Sequence, residues 1–264
     1  LMLALISGRG SLPSLVADAQ ATRPRICVLD GFAPEGLQAD ETFRLEHLGS
    51  LIADLQARGV TEVCFCGAVE RLPFDPSELD SATQSLVPIM TQAMAAGDDI
   101  ALRAMMGLFE SQGFAIRAVH ELAPELVAQA GVLSAKEPDK QMHQDTMRAF
   151  DVLTALAPVD VGQACVVGEG QVWGIETVGG TDHMLASLPE RTGRSRAIML
   201  KAPKVGQDLR ADMPTIGPAT VEAVARAGLA GLVVQAGAVL LLHREKTIAA
   251  ANAAGIVLWS CAAD

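Results

Sequence analysis

The sequence predicts an α/β protein of two α/β domains joined by a linker, and three observations support this fold class. Apolar segments of strand length alternate with helical patterns, which is typical of βαβ units around a mostly parallel sheet. The segments are continuously apolar, as expected for strands covered on both faces. A polar window, residues 134–145, interrupts the pattern. We therefore expect a first domain over 1–133, a linker region over 134–145 and a second domain over 146–264.

In the first domain, four apolar runs predict strands, at residues 2–7, 25–30, 62–68 and 114–119. Helical patterns lie between and beside them, over about 12–21, 48–58, 82–95 and 98–112. The first strand leads through a glycine turn directly into the first helix. This order predicts a Rossmann-like domain whose sheet is mostly parallel.

The second domain begins with a helical pattern over about 141–156. Two adjacent runs, 163–170 and 171–178, predict a β-hairpin that turns at Gly168–Gly170. The remaining predicted strands are 197–203, 231–237, 239–243 and 256–260. The remaining predicted helices are 218–228, which starts with Pro218 and stops at Gly228, and 245–253.

The composition bounds the class of protein. The chain has 264 residues, of which 50% are apolar and only 3% are aromatic, so its core must be aliphatic. Its net charge is −11, whereas contacts with nucleic-acid phosphates need a basic surface. The scarcity of aromatic rings also removes the stacking platforms that bind single strands. We therefore exclude nucleic acid as a partner.

The five cysteines predict buried thiols in a reducing cytoplasm, because most of them lie inside apolar runs. The C-x-C pair at Cys64 and Cys66 has no second pair, and the five histidines are scattered singly, so neither pattern indicates a zinc site.

No segment has the pattern of a membrane span or a signal peptide. The longest apolar run, residues 229–243, is too short to cross a bilayer and is interrupted by Gln235 and Gly237. The apolar start resembles a buried strand, and Leu1 in first position indicates that the numbering omits a native start. Attachment to a membrane surface stays open, because it needs only a local apolar patch.

Charged side chains concentrate in one irregular segment, residues 201–217, in a chain with few charges elsewhere. Lys201, Lys204 and Arg210 offer cations for phosphate oxygens, and arginine can bind two oxygens at once. Functional side chains are common in such loops. The alternative is a solvated loop whose charges pair with each other, and we favour phosphate or pyrophosphate binding over it.

The same segment carries two carboxylates and a helix start. Asp208 and Asp212 offer the oxygen ligands that suit Mg²⁺ bound together with substrate phosphates. Thr215 and Gly217 stand just ahead of Pro218, where a helix N-terminus presents N–H groups to an anion. Metal-assisted phosphoryl chemistry would use these groups.

Three other segments carry weaker signals, each with a structural alternative. The glycine loop, Gly8–Gly10, is suited either to anion binding or to a tight strand-to-helix turn. Asp98 and Asp99 open a helix, and an N-cap role is the simpler reading. Between 176 and 182, Thr181 and Asp182 suit either a helix cap or a polar site, and Glu176 stands near the end of its strand, where a carboxylate can meet a site.

Taken together, five segments resemble, in the same order and over essentially the whole chain, the LpxI-type UDP-2,3-diacylglucosamine pyrophosphatases. They are ISGRGSLP, CGAVERLP, GDDIALRAM, GTDHML and KAPKVGQDLRADMPTIGPATVEAVARAGLAGLVVQAG. The resemblance implies hydrolysis to 2,3-diacylglucosamine 1-phosphate (lipid X) and UMP in the lipid A biosynthesis of Gram-negative bacteria. Water would attack the sugar-side phosphorus with a divalent cation, usually Mg²⁺. It also implies two α/β domains and a peripheral position at the cytoplasmic face of the inner membrane.

The resemblance also implies roles for individual residues. Asp212 would be the essential carboxylate, as metal ligand or base, with Asp208 second to it and Glu176 a further metal ligand. The diphosphate would be held by Lys201, Lys204, Gln207 and Arg210, with Thr215 and Gly217 at the helix start. Further substrate contacts would come from Thr181, Asp182, Gly8, Arg9, Gly10, Asp98 and Asp99. Arg9 departs from the smaller residue expected there, so it is itself a candidate to contact an anion.

Two other classes of function remain as alternatives. A non-catalytic module would bind a nucleotide-sugar or acyl lipid, but pure anion binding gains nothing from carboxylates near phosphate unless a metal intervenes. A nicotinamide-linked enzyme would place an acidic residue after the second strand, as Asp30 is placed, but the third glycine of its fingerprint is missing.

Overall fold

The computed structural model describes residues 2–70, 75–94, 98–189, 195–210 and 212–262, with the side chains of 92–94 and 98–99 outside this description. Backbone contacts divide the chain into two compact units. Unit 1 comprises Leu1–Pro124 and Asp208–Asp212, and unit 2 comprises Glu125–Gln207 and Met213–Asp264. The polar window 134–145 lies in unit 2.

Unit 1 is built on a five-stranded parallel sheet. Its strands are β1 (Leu3–Ser7), β2 (Arg25–Leu29), β3 (Glu41–Phe43), β4 (Glu62–Cys66) and β5 (Ala115–Ile116), in the order β3-β2-β1-β4-β5. Its helices are α1 (Leu12–Asp18), α2 (Leu48–Ala57), α3 (Val87–Met94), α4 (Asp98–Ser111) and α5 (Val119–Leu122). The strand order reverses between β1 and β4, so the sheet has the switch point of a Rossmann-like fold. The predicted parallel sheet is confirmed.

One strand of unit 1 has no sequence signal, and two other elements have different bounds from those predicted. β3 has three residues and only Phe43 is buried, so no apolar run marks it. The run 114–119 predicts one strand, yet only Ala115–Ile116 pairs with β4, and the chain turns into α5 at Val119. The helix predicted over 82–95 starts as α-helix only at Val87.

Unit 2 contains a mixed six-stranded sheet with the order β6-β13-β11-β9-β7-β8. These strands are β6 (Gly131–Val132), β7 (Ala164–Gly168), β8 (Gln171–Ile175), β9 (Ile198–Lys201), β11 (Gly231–Gln235) and β13 (Val257–Cys261). β10 (Thr215–Ile216) and β12 (Leu240–Leu241) form a separate parallel pair. The helices are α6 (Lys140–Leu156), α7 (Gly180–Ala186), α8 (Pro218–Arg226) and α9 (Arg244–Ala254). Because β11 is parallel to both β9 and β13, these three strands end at one edge of the sheet.

The sheet of unit 2 is covered on both faces, as its continuous apolar strands predict. Along β9, Ile198 and Leu200 pack with α6, whereas Met199 packs with the cluster that includes residues of α8 and α9. This alternation is the two-residue period of a strand. Within the described part of the chain, no helix has the length and apolar character needed to cross a membrane.

The cysteines are free thiols, and Cys27, Cys64, Cys66 and Cys165 are buried as predicted, whereas Cys261 is half-buried. Desolvation raises the pKa of Cys27 and of Cys165 to about 12. These two thiols are therefore protonated at neutral pH.

A buried carboxylate fastens the predicted hairpin of β7 and β8. Glu169 and Gly170, at its turn, both have left-handed backbone conformations, with φ of 53° and 79°. The Asp145 side chain, fully buried in α6, accepts hydrogen bonds from both of their N–H groups, at 3.0 and 2.7 Å, and from Gln141 Nε2 at 3.1 Å. The helix thus holds the turn through one side chain.

Asp145→Ala is expected to lower the free energy of unfolding by about 3 kcal/mol, because it leaves two N–H groups without their acceptor. Urea unfolding followed by circular dichroism measures the change. Asp151→Ala, at an exposed position of the same helix, is the matched control and should change stability by less than about 0.5 kcal/mol. Equal stability of the two variants would contradict a fastening role.

Candidate functional site

A polar network lies at the carboxyl end of β9 in unit 2. The Nζ atom of Lys201, the last residue of β9, donates to Thr181 Oγ1 at 3.0 Å. The Thr181 hydroxyl in turn donates to Glu176 Oε1 at 2.5 Å. Glu176 is 8% exposed, and its other oxygen accepts from the Gln163 N–H at 2.7 Å. The lysine ammonium has three donors, and the bond to Thr181 uses one of them.

Strand pairing brings these residues together from distant parts of the chain. Lys201 lies opposite Ala164 in the antiparallel β7–β9 pair. The Ala202 N–H donates to the backbone carbonyl oxygen of Gln163 at 2.9 Å. Gly162 has a left-handed backbone conformation, with φ of 54°, and packs against the backbone of Glu176. A Cβ atom at this position would lie 2.2 Å from the backbone carbonyl oxygen of Glu176. Only glycine therefore fits at Gly162 while Glu176 keeps its place.

The second lysine of this edge, Lys204, forms an ion pair with Asp160, and its side chain is only 14% exposed. Asp160 has a left-handed backbone conformation, with φ of 55°, at the end of a 3-10 turn over Ala157–Val159. The Gln207 side-chain oxygen accepts from the Lys204 N–H at 2.9 Å, and the Gln207 N–H donates to the Lys204 oxygen at 3.0 Å. Gln207 thus stabilises the turn that presents Lys204.

In unit 1, Asp208 and Arg210 form one ion-paired group. Asp208 accepts hydrogen bonds from Arg210 Nε at 3.0 Å and Nη2 at 2.8 Å, and from the Arg210 backbone N–H at 3.1 Å. Arg210 Nη1 donates to Glu110 Oε1, on α4, at 2.7 Å. Hydrogen bonds from the Arg210 guanidinium hold the pKa of Asp208 below its usual value, and the charge of Arg103 acts in the same direction. The hydrogen bonds that Arg210 donates to Asp208 and Glu110 raise the pKa of Arg210. Asp208 is therefore ionised and a weak base, suited to orienting Arg210.

The pKa shift predicts how Asp208 contributes to stability as the pH changes. A carboxyl group with a depressed folded pKa stabilises the fold above its unfolded pKa of about 4, and this contribution is lost as the pH falls through the folded pKa. Asp208→Asn should therefore be less stable than the unsubstituted protein at pH 7, with the difference shrinking below about pH 4. Urea unfolding at several pH values measures it, and a difference that grows on acidification would contradict this assignment.

The remaining predicted residues of 201–217 have mixed environments. Asp212 is half-buried and already has an interaction partner. The Thr215 hydroxyl donates to the Met213 oxygen at 3.0 Å, and the Gly217 N–H donates to Thr220 Oγ1 at 3.2 Å. The N–H group of Gly217 is therefore engaged within the start of α8.

In the glycine loop, the backbone N–H groups of Gly8 and Arg9 donate to the Cys66 and Ala68 oxygens at 2.9 and 2.8 Å. The loop after β1 approaches the loop after β4 so closely that a Cβ atom on Gly8 would lie 2.4 Å from the backbone oxygen of Ala68. These two N–H groups thus join the loops after β1 and β4 at the switch point.

The Arg9 side chain also binds within unit 1. Its guanidinium donates to the Gly31 oxygen at 3.1 Å and to Glu70 at 3.0 Å, and lies 4.5 Å from the centre of the Phe32 ring. An anion would have to compete with Glu70 for this group.

Two further predictions fall elsewhere. Asp182 is exposed in the first turn of α7, where it lines a cavity of about 820 Å³ together with Trp173, Leu185 and Glu222. α4 begins at Asp98, and the side chains of Asp98 and Asp99 lie outside the described residues.

The carboxylates of the candidate site suit a divalent cation such as Mg²⁺ only in part. Among the residues the structure describes, no group of three or more His, Cys, Asp and Glu side chains could hold a metal ion by itself. Glu176 is engaged by Gln163 and Thr181, and Asp208 by Arg210. Mg²⁺ is commonly bound by one or two carboxylates together with substrate phosphates, rather than by an all-protein cage. The described residues fit that mode better than a preformed metal site.

Sequence reasoning did not identify four side chains or groups that position the candidate residues. Asp160 binds Lys204, the Gln163 backbone binds Glu176, and Glu110 binds Arg210. Arg103 acts on Asp208 through its charge. Each contact joins positions at least 13 residues apart, and no local motif marks such pairs.

The fold and site define a class of two-unit α/β protein whose lysines and carboxylates suit a phosphate-bearing ligand. Family models described as the LpxI N-terminal domain and the LpxI C-terminal domain match residues 2–126 and 129–259. A relative from Caulobacter vibrioides (strain ATCC 19089 / CIP 103742 / CB 15), named UDP-2,3-diacylglucosamine pyrophosphatase LpxI, is 37% identical over 266 residues, which cover 96% of this chain and 95% of the relative. The chain belongs to the LpxI family.

Proposed function

We propose that the chain hydrolyses the pyrophosphate bond of UDP-2,3-diacylglucosamine, releasing 2,3-diacylglucosamine 1-phosphate (lipid X) and UMP in lipid A biosynthesis. The observation that carries this proposal is the nearly full-length match to a relative of that name. The lysines at the carboxyl end of β9 support it, because a diphosphate needs cationic donors. Water would attack the sugar-side phosphorus.

Lys201 and Lys204 bind phosphate oxygens in this proposal, together with Gln207 and Arg210. Glu176 positions Lys201 through Thr181, which leaves donors of the ammonium to contact the substrate. Such preorganised donors stabilise the charge that develops on the phosphate oxygens.

The carboxylates divide into two roles. Asp208 orients Arg210 through hydrogen bonds and is a weak base, so Asp212 is the better candidate for the essential carboxylate. A divalent cation, Mg²⁺ by preference, would be held by Asp212 and substrate phosphates, and when bound it would supply charge neutralisation at the phosphoryl oxygens. Additional contacts from Gly8–Gly10, Asp98, Asp99, Thr215, Gly217 and Asp182 remain predictions.

The two acyl chains of the substrate favour a peripheral position at the cytoplasmic face of the inner membrane. A helix that crosses the bilayer is not needed for this position, because local apolar contact suffices.

Incubation of the purified protein with UDP-2,3-diacylglucosamine, with and without Mg²⁺, tests the activity. Metal-dependent release of UMP is expected, and in ¹⁸O-labelled water the label should enter lipid X. Label in UMP would show attack on the other phosphorus. If the lipid-nucleotide binds but no UMP forms with any divalent cation, the non-catalytic binding module replaces the hydrolase.

A further inference from the structure

Arg9 and Phe32 form a flat platform just beyond the carboxyl ends of β1 and β2 in unit 1. The Arg9 Nε and Nη2 atoms donate to the Gly31 oxygen at 3.3 and 3.1 Å, and Nη1 donates to Glu70 Oε1 at 3.0 Å. The guanidinium carbon lies over the Phe32 ring, 4.5 Å from its centre, and Phe32 is only 2% exposed. The Arg9 side chain is nevertheless 51% exposed. Because its donor edges are bonded and one face covers Phe32, the exposed part includes the opposite face. We call Arg9 and Phe32 the arginine platform.

The glycine loop beside the arginine platform already uses its first N–H groups. Those of Gly8 and Arg9 donate to the backbone oxygens of Cys66 and Ala68. A dinucleotide site of the Rossmann type holds a pyrophosphate at this loop. That mode does not fit here, whereas a planar ring stacked on the guanidinium needs neither N–H group. The arginine platform therefore suits a nucleobase better than a phosphate.

Asp30 brings a carboxylate next to the arginine platform. It directly follows β2, and its N–H donates to the Phe43 oxygen of β3 at 2.8 Å, which fixes its backbone. Its neighbour in the chain, Gly31, accepts the hydrogen bonds of Arg9, so Asp30 lies one residue from the edge of the platform. Asp30 is exposed. In Rossmann-like folds, an acidic residue at this place, about 20 residues after the glycine loop, binds a ribose hydroxyl. A ring platform and a carboxylate beside it match the two halves of a ribonucleoside.

We propose that unit 1 binds the uridine moiety of the substrate at the arginine platform. The pyrimidine ring stacks on the exposed face of the Arg9 guanidinium, and Asp30 accepts hydrogen bonds from the ribose hydroxyls. Stacking leaves the bonds of Arg9 to Glu70 and Gly31 intact, whereas an anion would have to compete with Glu70. The inference rests on the proposed function for the identity of the nucleoside.

Calorimetric titration with UMP tests the ribose contact, because UMP carries the nucleoside without the acyl chains. The unsubstituted protein should bind UMP about tenfold more tightly than 2′-deoxy-UMP, since the missing hydroxyl leaves the carboxylate without its partner. Asp30→Ala should lower the affinity for UMP by about the same factor and abolish the preference. Asp18→Ala, at an exposed position of unit 1, is the matched control and should keep both the affinity and the preference. A preference that persists in Asp30→Ala would overturn the ribose contact.

Arg9→Lys tests the stacking, because lysine keeps the positive charge and loses the planar group. The affinity for UMP should fall about tenfold, as for the loss of one base-stacking partner. The preference for UMP over 2′-deoxy-UMP should remain, since it depends on Asp30. Arg58→Lys, another exposed arginine of unit 1, is the control. An affinity of Arg9→Lys equal to that of the control would overturn the stacking.

The outcomes for this site and for the proposed function are separable. An Asp30-dependent preference for UMP in a protein that does not cleave UDP-2,3-diacylglucosamine would support the site and reject only the hydrolysis. Cleavage of that substrate with UMP affinity unchanged in Asp30→Ala and Arg9→Lys would reject the site and leave the hydrolysis standing. No binding of UMP at millimolar concentrations would also overturn the site.

Discussion

Asp212→Asn is expected to reduce the rate of UMP release by about 10³-fold, because the amide keeps the shape of the side chain but removes its charge and basicity. The other carboxylate of the segment, Asp208, is bound by Arg210, which lowers its pKa and makes it a weak base, so we do not expect it to replace Asp212. Steady-state assays of UMP release measure the effect. Asp151→Asn, at an exposed position of α6, is the control and should retain full activity. Activity of Asp212→Asn within a few-fold of the unsubstituted protein would reject Asp212 as the essential carboxylate.

The residual activity of the same variant separates the two roles open to Asp212. Loss of a metal ligand raises the Mg²⁺ concentration needed for half-maximal activity. Loss of a general base leaves that concentration unchanged and removes a limb of the pH–rate profile. Measuring both quantities on one preparation distinguishes the roles.

Lys201→Met is expected to lower kcat/KM by 10²- to 10³-fold, roughly the effect of losing one preorganised donor from a site that stabilises developing charge. Lys204→Met should have a smaller effect, because part of the charge of Lys204 is already balanced by Asp160. Comparing kcat/KM for the two variants tests this order.

Lys246→Met, on the exposed surface of α9, controls for the loss of one positive charge from the protein. An effect of Lys204→Met larger than that of Lys201→Met would show that the Asp160 pair opens when substrate binds.

The fold could be predicted wherever a long apolar run or helical pattern decides the local structure. β1, β4, β9 and β13 follow from their apolar runs, and α6 follows from a long helical pattern. β3 and β10, with three and two residues, depend on pairing with distant strands and leave no periodic signal. The position of β8 at the edge of a mixed sheet is likewise a property of the packing, not of its own residues.

For the candidate site, the sequence predicts which residues are candidates but not which contacts they make. Lys201, Glu176 and Thr181 were predicted as polar site residues, and the structure joins them in one network. In the glycine loop, the sequence left open whether the N–H groups bind an anion or form a tight turn. In the structure, the N–H groups of Gly8 and Arg9 donate to backbone oxygens at the end of β4 and in the loop after it. A glycine pattern alone does not reveal which acceptor its N–H groups meet.

Because most of the cysteines are buried, their reaction with a thiol reagent reports local unfolding of the structure around them. Cys27, Cys64 and Cys66 lie in unit 1 and Cys165 lies in unit 2, and all four are hidden from solvent, whereas Cys261 is partly accessible. A thiol-reactive probe should first label Cys261, and the others only as the surrounding structure opens. Mass spectrometry of the labelled peptides would then reveal which half of the molecule melts first, without any engineered label.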